Sequence, residues 1–242
     1  MGILEQVKQL VDGYRIERKL QRDREILINA PTFKVDDKQR KMMDVASAVT
    51  GLRIVSDKFL AFHLVGSNLS AYKGAFCQAR HNPHLKQDTV VMNCETDSPY
   101  WYSVLFHELA HATGSRRFLN RKGLLSGEEG KTGMDYDFEE LIAEGAAREI
   151  MEHFGFATDG TRQRSYMYLE SYEQSYKLAN VFKNGFAVVE IGKPFSLNTI
   201  DRNLLAKQIA EAKQLVMYWL QDFDTVTESV LAERVKEANH YF

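Results

Sequence analysis

Apolar and polar positions divide the chain into a helical start, a short middle part with strand-like runs, and a longer helical remainder. Residues 3–25 carry apolar side chains at three- and four-residue intervals, which predicts an amphipathic helix. A second helix is predicted over 37–50, with Asp36 or Asp37 as its N-cap and Gly51 as its stop.

Between residues 52 and 93 the apolar side chains form short runs bounded by Gly, Asn, Asp or Pro, a pattern that is typical of a small sheet. The runs are residues 52–55, 61–65, 75–79 and 89–92. The connector at 79–84 is predicted to be an exposed loop.

Helical periodicity returns at Ser98-Pro99, where the proline suits a first helical turn, and continues through about Thr113, with Gly114 as the stop. Segment 115–135, rich in Gly, Ser and Lys, predicts a loop. Further helices are predicted over 136–154, 162–182, 199–221 and 223–239, and a hairpin over 185–191. Helices, then a small sheet, then helices together predict an α+β fold that is mostly helical.

Length and composition fit one large folded domain with helical additions. The chain has 242 residues, of which 44% are hydrophobic and 26% charged, enough to build a core. We divide it into an N-terminal helical segment, 1–51, and a main domain, 52–242. A net charge of −2 favours neither a general nucleic-acid binder nor an acidic mimic of DNA. Basic runs at 15–24 and 116–122 are interpreted as solvated surface.

Cysteine content and the absence of targeting signals indicate the cell interior. Cys77 and Cys94 are too few for a disulfide framework or a four-cysteine zinc site, so we expect reduced thiols. The N-terminal residues read as an amphipathic helix rather than a signal peptide, and no apolar run is long enough to span a bilayer. The sequence therefore predicts a cytoplasmic protein with no membrane partner.

The chemistry is concentrated in the segment His107-Glu108-Leu109-Ala110-His111. His107 and His111 stand at i and i+4 of the predicted helix, roughly 6 Å apart on one face, so both imidazoles can reach a single ion. Catalytic zinc keeps an open position for water, and Glu108 is placed beside it to act as general base. Apolar neighbours such as Leu109 indicate that this helix is buried. A chance match to the motif would more often lie on a solvated helix with charged neighbours.

A third protein ligand is expected from the helix predicted over 136–154. Glu140 and Glu144 lie one turn apart among apolar residues, where a glutamate needs a partner. We favour Glu140 as the zinc ligand and Glu144 as the acceptor of a histidine N–H, with the reversed assignment left open. Glu139 is interpreted as a surface residue. The remaining histidines are expected to be surface or packing residues: His63, His81, His84, His153 and His240.

Residues 102–114 resemble the metallopeptidase domain of ArdC-type antirestriction proteins, which are the zincin domains of polyvalent proteins of plasmids and phages. Residues 119–121 are similar to that family's stretch after the zinc helix, and 136–144 resemble the helix that supplies its glutamate ligand. The resemblance covers roughly residues 70–220. It implies a zincin-like fold with a small sheet before the active-site helix, and a Zn²⁺ cofactor.

This chain departs from the family at several positions. The family usually has Trp, His and Arg where this chain has Ala112, Ser115 and Phe118. In the family, the corresponding N-terminal part is a domain that binds single-stranded DNA, whereas residues 1–50 of this chain predict only helices. The resemblance therefore implies DNA binding less strongly than it implies zinc ligation.

The leading hypothesis is a zinc metallopeptidase of phage or plasmid origin that acts on proteins or peptides in the host cytoplasm. Its oxyanion donor is sought among Tyr166, Tyr168, Tyr172 and Tyr176. The alternative is a DNA-associated or virion-delivered binding or antirestriction protein with a structural or vestigial zinc site, whose partners are single-stranded DNA or phage virion proteins.

Overall fold

A computed structural model gives the fold of the chain. The structure describes residues 35–57, 61, 73–82, 85–94, 98, 100–125, 134–178, 182–183, 186–187, 199–227, 229–230 and 233. The helix predicted over 3–25 and the basic run at 15–24 lie outside these residues. The first described helix, α1 (Asp37–Thr50), follows a capping box of Asp36 with Gln39 and ends at Gly51, whose φ is 67°. Both predicted end signals of this helix are confirmed.

Three short strands form one sheet. They are β1 (Arg53–Ser56), β2 (Gly74–Cys77) and β3 (Thr89–Met92), in the order β1-β3-β2. Strand β3 lies in the centre, parallel to β1 and antiparallel to β2, which leaves β2 as an edge strand. All four residues of β3 are buried, as expected for a central strand with three apolar residues in succession. Of the run predicted at 61–65, only Ala61 lies within the described residues, and it is helical.

Three helices follow the sheet. They are α2 (Trp101–Thr113), a single turn α3 (Lys122–Leu125), and α4 (Met134–His153). Gly114 caps α2 as predicted. The loop predicted over 115–135 is confirmed for 115–121, but it is wrong at 122–125, which form α3, and at 134–135, which begin α4. Residues 126–133 lie outside the described chain. Asp135 and Asp137 favour an early start of α4 because acidic side chains stabilise a helix N-terminus.

The C-terminal part adds α5 (Asp159–Leu178), a small hairpin of β4 (Phe182–Lys183) and β5 (Phe186–Ala187), and α6 (Arg202–Trp219). The hairpin begins earlier than the predicted 185–191. In the connector predicted to be an exposed loop over 79–84, residues Ala79–His81 form a 3₁₀ turn, in which Arg80 and His81 are exposed. Residues 83–84 lie outside the described chain. Of the helix predicted over 223–239, residues 223–225 form a turn, whereas residues 229, 230 and 233 are helical. Residues 228, 231–232 and 234–239 lie outside the described residues.

Helix α4 occupies the centre of the helical layer. It packs against α2, α3, α5 and α6, while α2 also contacts β2, β3 and α6. Fully buried alanines at 143, 146 and 147 allow these helices to approach closely. The α+β, mostly helical architecture with a three-stranded sheet is confirmed. Within the described chain, no helix combines the length and apolarity that a bilayer crossing requires.

The N-terminal helix shares its core with the rest of the described chain. Met42, Met43 and Ala46 of α1 belong to the same buried cluster as Leu105 of α2 and Trp219 of α6. The boundary predicted at residue 51 is untested and stays a prediction.

Candidate metal centre

The two histidines of α2 point their Nε2 atoms at the same place. His107 and His111 lie one helical turn apart, and their Nε2 atoms are 3.0 Å apart. The flanking residues Leu105, Phe106 and Leu109 are fully buried, so the polar pair is held on a helix that is otherwise embedded in the core. This placement follows from the i, i+4 spacing that the sequence shows.

Helix α4 brings Glu140 to the same point. One carboxylate oxygen of Glu140 lies 3.3 Å from Nε2 of His107, and the other lies 3.5 Å from Nε2 of His111. Two donors of a tetrahedral zinc ion are expected about 3.4 Å apart, given metal–nitrogen bonds of about 2.0–2.1 Å. His107, His111 and Glu140 therefore form a donor set of the right type and spacing for zinc.

A second carboxylate contacts the far side of each histidine. Oε2 of Glu144 lies 2.9 Å from Nδ1 of His107, and Oε1 of Glu139 lies 3.3 Å from Nδ1 of His111. A ring that donates its Nδ1–H to a carboxylate keeps the lone pair of Nε2 free for an ion. Glu144 thus lies where the sequence predicted it, as the acceptor of a histidine N–H.

The prediction that Glu139 is a surface residue is wrong. Its side chain is 1% exposed, and its carboxylate is paired with Arg121 besides contacting His111. Periodicity along α4 alone could not reveal this, because the partner of Glu139 comes from the preceding loop.

Arg121 is likewise buried, which corrects the interpretation of 116–122 as a uniformly solvated basic run. Within that run Arg116, Arg117 and Lys122 are exposed, as expected. The sequence offered one signal for Arg121, its place in the triplet at 119–121 that resembles the family stretch after the zinc helix.

Charge is unevenly distributed around the donor set. Burial opposes a charged imidazole at His107, but hydrogen bonds to Glu140 and Glu144 outweigh it and raise its pKa well above 6.5. In the same way the pKa of His111 is raised to about 9 against the effect of burial, mainly by the charge of Glu140. Burial acts to raise the pKa of Glu140, yet the two histidines hold it well below 4.5. These carboxylates favour a cation between the rings, which suits a divalent ion.

The donor set opens into a cleft of about 720 Å³. Glu108 lines it beside the two histidines, opposite strand β2. A Cβ atom at Gly74 would lie 2.7 Å from Cγ1 of Val104 and 2.9 Å from Cγ of Glu108. The glycine therefore allows the edge strand to approach the α2 helix closely at the position of Glu108.

Tyrosines from α4 and α5 form one wall of the cleft. The hydroxyl of Tyr168 donates a 2.8 Å hydrogen bond to Glu140, and its ring stands edge-on to His107. The ring centroids of Tyr168 and Tyr172 are 4.8 Å apart. Tyr136, which sequence reasoning missed, lines the same wall. Burial and the charge of Glu140 raise the pKa of Tyr168, which keeps its hydroxyl protonated.

None of the other candidate residues within the described chain belongs to the donor set. Tyr166 is 58% exposed, and the ring of Tyr176 packs against Phe138. His81 lines the cleft mouth from an exposed position, and His153 is exposed at the end of α4. His63, His84 and His240 lie outside the described residues.

Comparison with known families agrees with this geometry. Residues 79–177 match the family model MPTase-PolyVal, described as a zincin-like metallopeptidase. This confirms the resemblance to the metallopeptidase domains of polyvalent proteins. The match spans α2, α4 and α5, and thus every residue of the donor set and its glutamate supports. No curated protein and no solved structure matches the chain.

Proposed function

We propose that this zincin-like protein is a zinc-dependent peptidase of phage or plasmid origin, which hydrolyses peptide bonds of proteins in the host cytoplasm. The observation that carries the proposal is the convergence of His107, His111 and Glu140 beside Glu108 in one open cleft. The family match over residues 79–177 supports the peptidase chemistry.

Three residues would hold the ion: His107 and His111 through Nε2, and Glu140 through its carboxylate. When bound, zinc supplies a Lewis acid that polarises the scissile carbonyl and lowers the pKa of water to about 7. Glu144 and Glu139 orient the two imidazoles from behind. The donor set leaves room for water on the cleft side, as a catalytic rather than a purely structural site requires.

Glu108 is the proposed general base. It lies in the cleft wall directly after His107 in the chain, and it is 8% exposed, so its carboxylate is largely shielded from bulk water. Its carboxylate would accept a proton from the attacking water and then donate that proton to the leaving amine nitrogen. The step balances because one water is consumed: its hydroxyl group goes to the new C-terminal carboxylate and its proton to the new N-terminal amine.

Tyr168 is the proposed donor to the oxyanion. Among the four tyrosines considered on α5, it places its hydroxyl at a ligand of the donor set. Its hydroxyl would turn from Glu140 toward the carbonyl oxygen as negative charge develops there.

The test compares wild type with Glu108→Gln on an unfolded protein substrate such as casein. We expect cleavage to fall by about 10²–10⁴-fold, because the amide cannot accept the proton of water. Zinc content, measured by atomic absorption, should stay at the wild-type level because the three ligands are untouched. Glu170→Gln, an exposed change on α5, serves as the matched control. Equal cleavage by wild type and Glu108→Gln would show that Glu108 is not the base.

The alternative proposal is a binding or antirestriction protein, DNA-associated or virion-delivered, with a structural zinc site. Exposed Arg116, Arg117 and Lys122 favour it as an anion-binding surface, whereas the burial of Arg121 removes one cation from that surface. Salt-dependent binding of single-stranded DNA that survives Glu108→Gln, in a protein without peptidase activity, would support this alternative.

A further inference from the structure

The segment that follows α2 folds back onto the helix it leaves. The N–H of Arg121 donates to the carbonyl oxygen of Gly114 at 2.8 Å, and that of Leu119 donates to Thr113 at 2.9 Å. Asn120 completes the turn in a left-handed conformation with φ of 50°, which asparagine tolerates better than most residues. This backbone path places the Arg121 side chain between the end of α2 and helix α4.

The guanidinium of Arg121 joins these two helices. Its Nε and Nη2 atoms donate to the two carboxylate oxygens of Glu139 on α4, the Nε contact at 2.8 Å. Toward α2, Nη1 donates to Oγ1 of Thr113 at 2.7 Å and Nη2 donates to the carbonyl oxygen of Ala110 at 2.8 Å. The planar fork thus fixes Glu139 in a two-point contact that an ammonium group cannot reproduce.

Two glycines make room for this arrangement. A Cβ at Gly114 would lie 2.8 Å from Cζ of Arg121, and a Cβ at Gly123 would lie 2.6 Å from Cβ of Glu139. Both the close approach of α3 to α4 and the position of the guanidinium depend on having glycine, which has no side chain, at these two positions. The segment is therefore shaped around the ion pair of Arg121 and Glu139.

Glu139 transmits this geometry to the metal centre. Its Oε1 atom contacts both Arg121 and Nδ1 of His111. A carboxylate held at both oxygens has little freedom to rotate, so the direction in which it accepts the imidazole N–H is fixed. The ring of His111, and with it the position of Nε2, is then set by the loop.

We propose that Arg121 is a positioning residue for the metal centre: by clamping Glu139 it orients His111 and sets the affinity for zinc. This rests on the proposed zinc function. The rival explanation is that Arg121 and Glu139 form a buried ion pair that holds α2 to α4 without affecting the ligand.

The experiment measures zinc affinity by chelator competition on the full-length chain, together with the visible absorption spectrum of the Co²⁺-substituted protein. For Arg121→Lys and Arg121→Met we expect zinc affinity to fall by about 10–100-fold, the usual effect of losing a support of a ligand. The Co²⁺ bands should shift because the angle of one nitrogen ligand changes. Lys122→Met is the matched control, since Lys122 also pairs with α4, through Asp135, from a side chain that is 82% exposed. It should leave affinity and spectrum unchanged.

A double variant, Arg121→Met with Glu139→Leu, separates the two explanations. It removes both buried charges, so thermal stability should recover relative to Arg121→Met alone, because no unpaired buried charge remains. A positioning role requires that zinc affinity stay low in this variant, since Nδ1 of His111 has lost its acceptor. If zinc affinity and stability recover together, Arg121 is structural and the inference is overturned.

The outcome also distinguishes this inference from the proposed function. Absence of zinc binding by the wild-type protein would overturn the function itself. If wild type binds zinc and both Arg121→Lys and Arg121→Met bind it with the same affinity and the same Co²⁺ spectrum, only the role of Arg121 is overturned.

Discussion

Three glutamates of α4 face α2, and each contacts a different set of histidine atoms because of its position along and around the helix. Glu140 and Glu144 are one turn apart and therefore stack on the same side of the helix. Glu139 is rotated by about 100° from Glu140, which directs it to the second histidine and to Arg121. Because each glutamate contacts different atoms of the site, none of the three is placed to replace another.

Tyr168 gives a test at the scale of a single hydroxyl. We expect Tyr168→Phe to lower kcat by about 10²–10³-fold with a smaller change in KM, because a transition-state donor is lost while the ring that lines the cleft is kept. Steady-state kinetics on a fluorogenic peptide would measure this.

Tyr166→Phe is the control for that measurement, since this tyrosine is two residues away on α5 and 58% exposed. A loss confined to KM in Tyr168→Phe would indicate that the hydroxyl contributes to substrate binding instead.

At the scale of elements, the site depends on how closely neighbouring segments approach. Gly74 lets edge strand β2 contact α2 beside Glu108, and Gly123 lets α3 contact α4. At Gly123 a Cβ would lie 2.4 Å from the carbonyl oxygen of Asp135, a backbone atom that cannot move without displacing α4. These glycines therefore let β2 pack against α2 and α3 pack against α4, the two helices that carry the donors.

Gly123→Ala should for this reason destabilise the protein by about 1–3 kcal/mol, as expected for overpacking against backbone. Urea unfolding monitored by circular dichroism would measure the change.

Gly160→Ala is the matched control for this substitution. Its Cβ would meet nothing closer than 3.7 Å in the first turn of α5, so a gain of about 0.5–1 kcal/mol is expected. Equal stability of Gly123→Ala and wild type would contradict the proposed tight contact of α3 with α4.

At the scale of the whole molecule, the region that matches the family does not contain all of its core. Leu52 and Ile54, which precede residues 79–177, and Val216 and Trp219, which follow them, belong to the cluster that buries α2. The metal centre is built by the matched region, but the burial that holds it together comes from both flanks.

A fragment of residues 79–177 should accordingly fail to fold, while residues 35–227 should unfold cooperatively. The short fragment loses α1, β1, β2 and α6, and with them much of the apolar surface that α2 and α4 bury. Thermal melts followed by circular dichroism would distinguish them. A cooperative melt of the 79–177 fragment would show that the matched region is an independent domain.

The elements that sequence predicted well are those with local signals. Helix α1 has a capping aspartate and a terminal glycine, and β3 is a bounded apolar run, so their limits could be inferred. Helix α3 was missed because one turn carries too few residues for a period to be detected. The hairpin was displaced because its turn chemistry did not fix which residues pair.

The sequence by itself determined which helix carries the two histidines of the candidate zinc site. Histidines at i and i+4 form a local pattern, and helix geometry alone places both on one face. It also narrowed the third ligand to two glutamates of the next long helix. Only the tertiary structure brought Glu140 to both Nε2 atoms and Glu144 to the far nitrogen of His107. It alone revealed the clamp of Arg121 on Glu139, because this contact joins residues 18 positions apart, beyond the reach of helical periodicity.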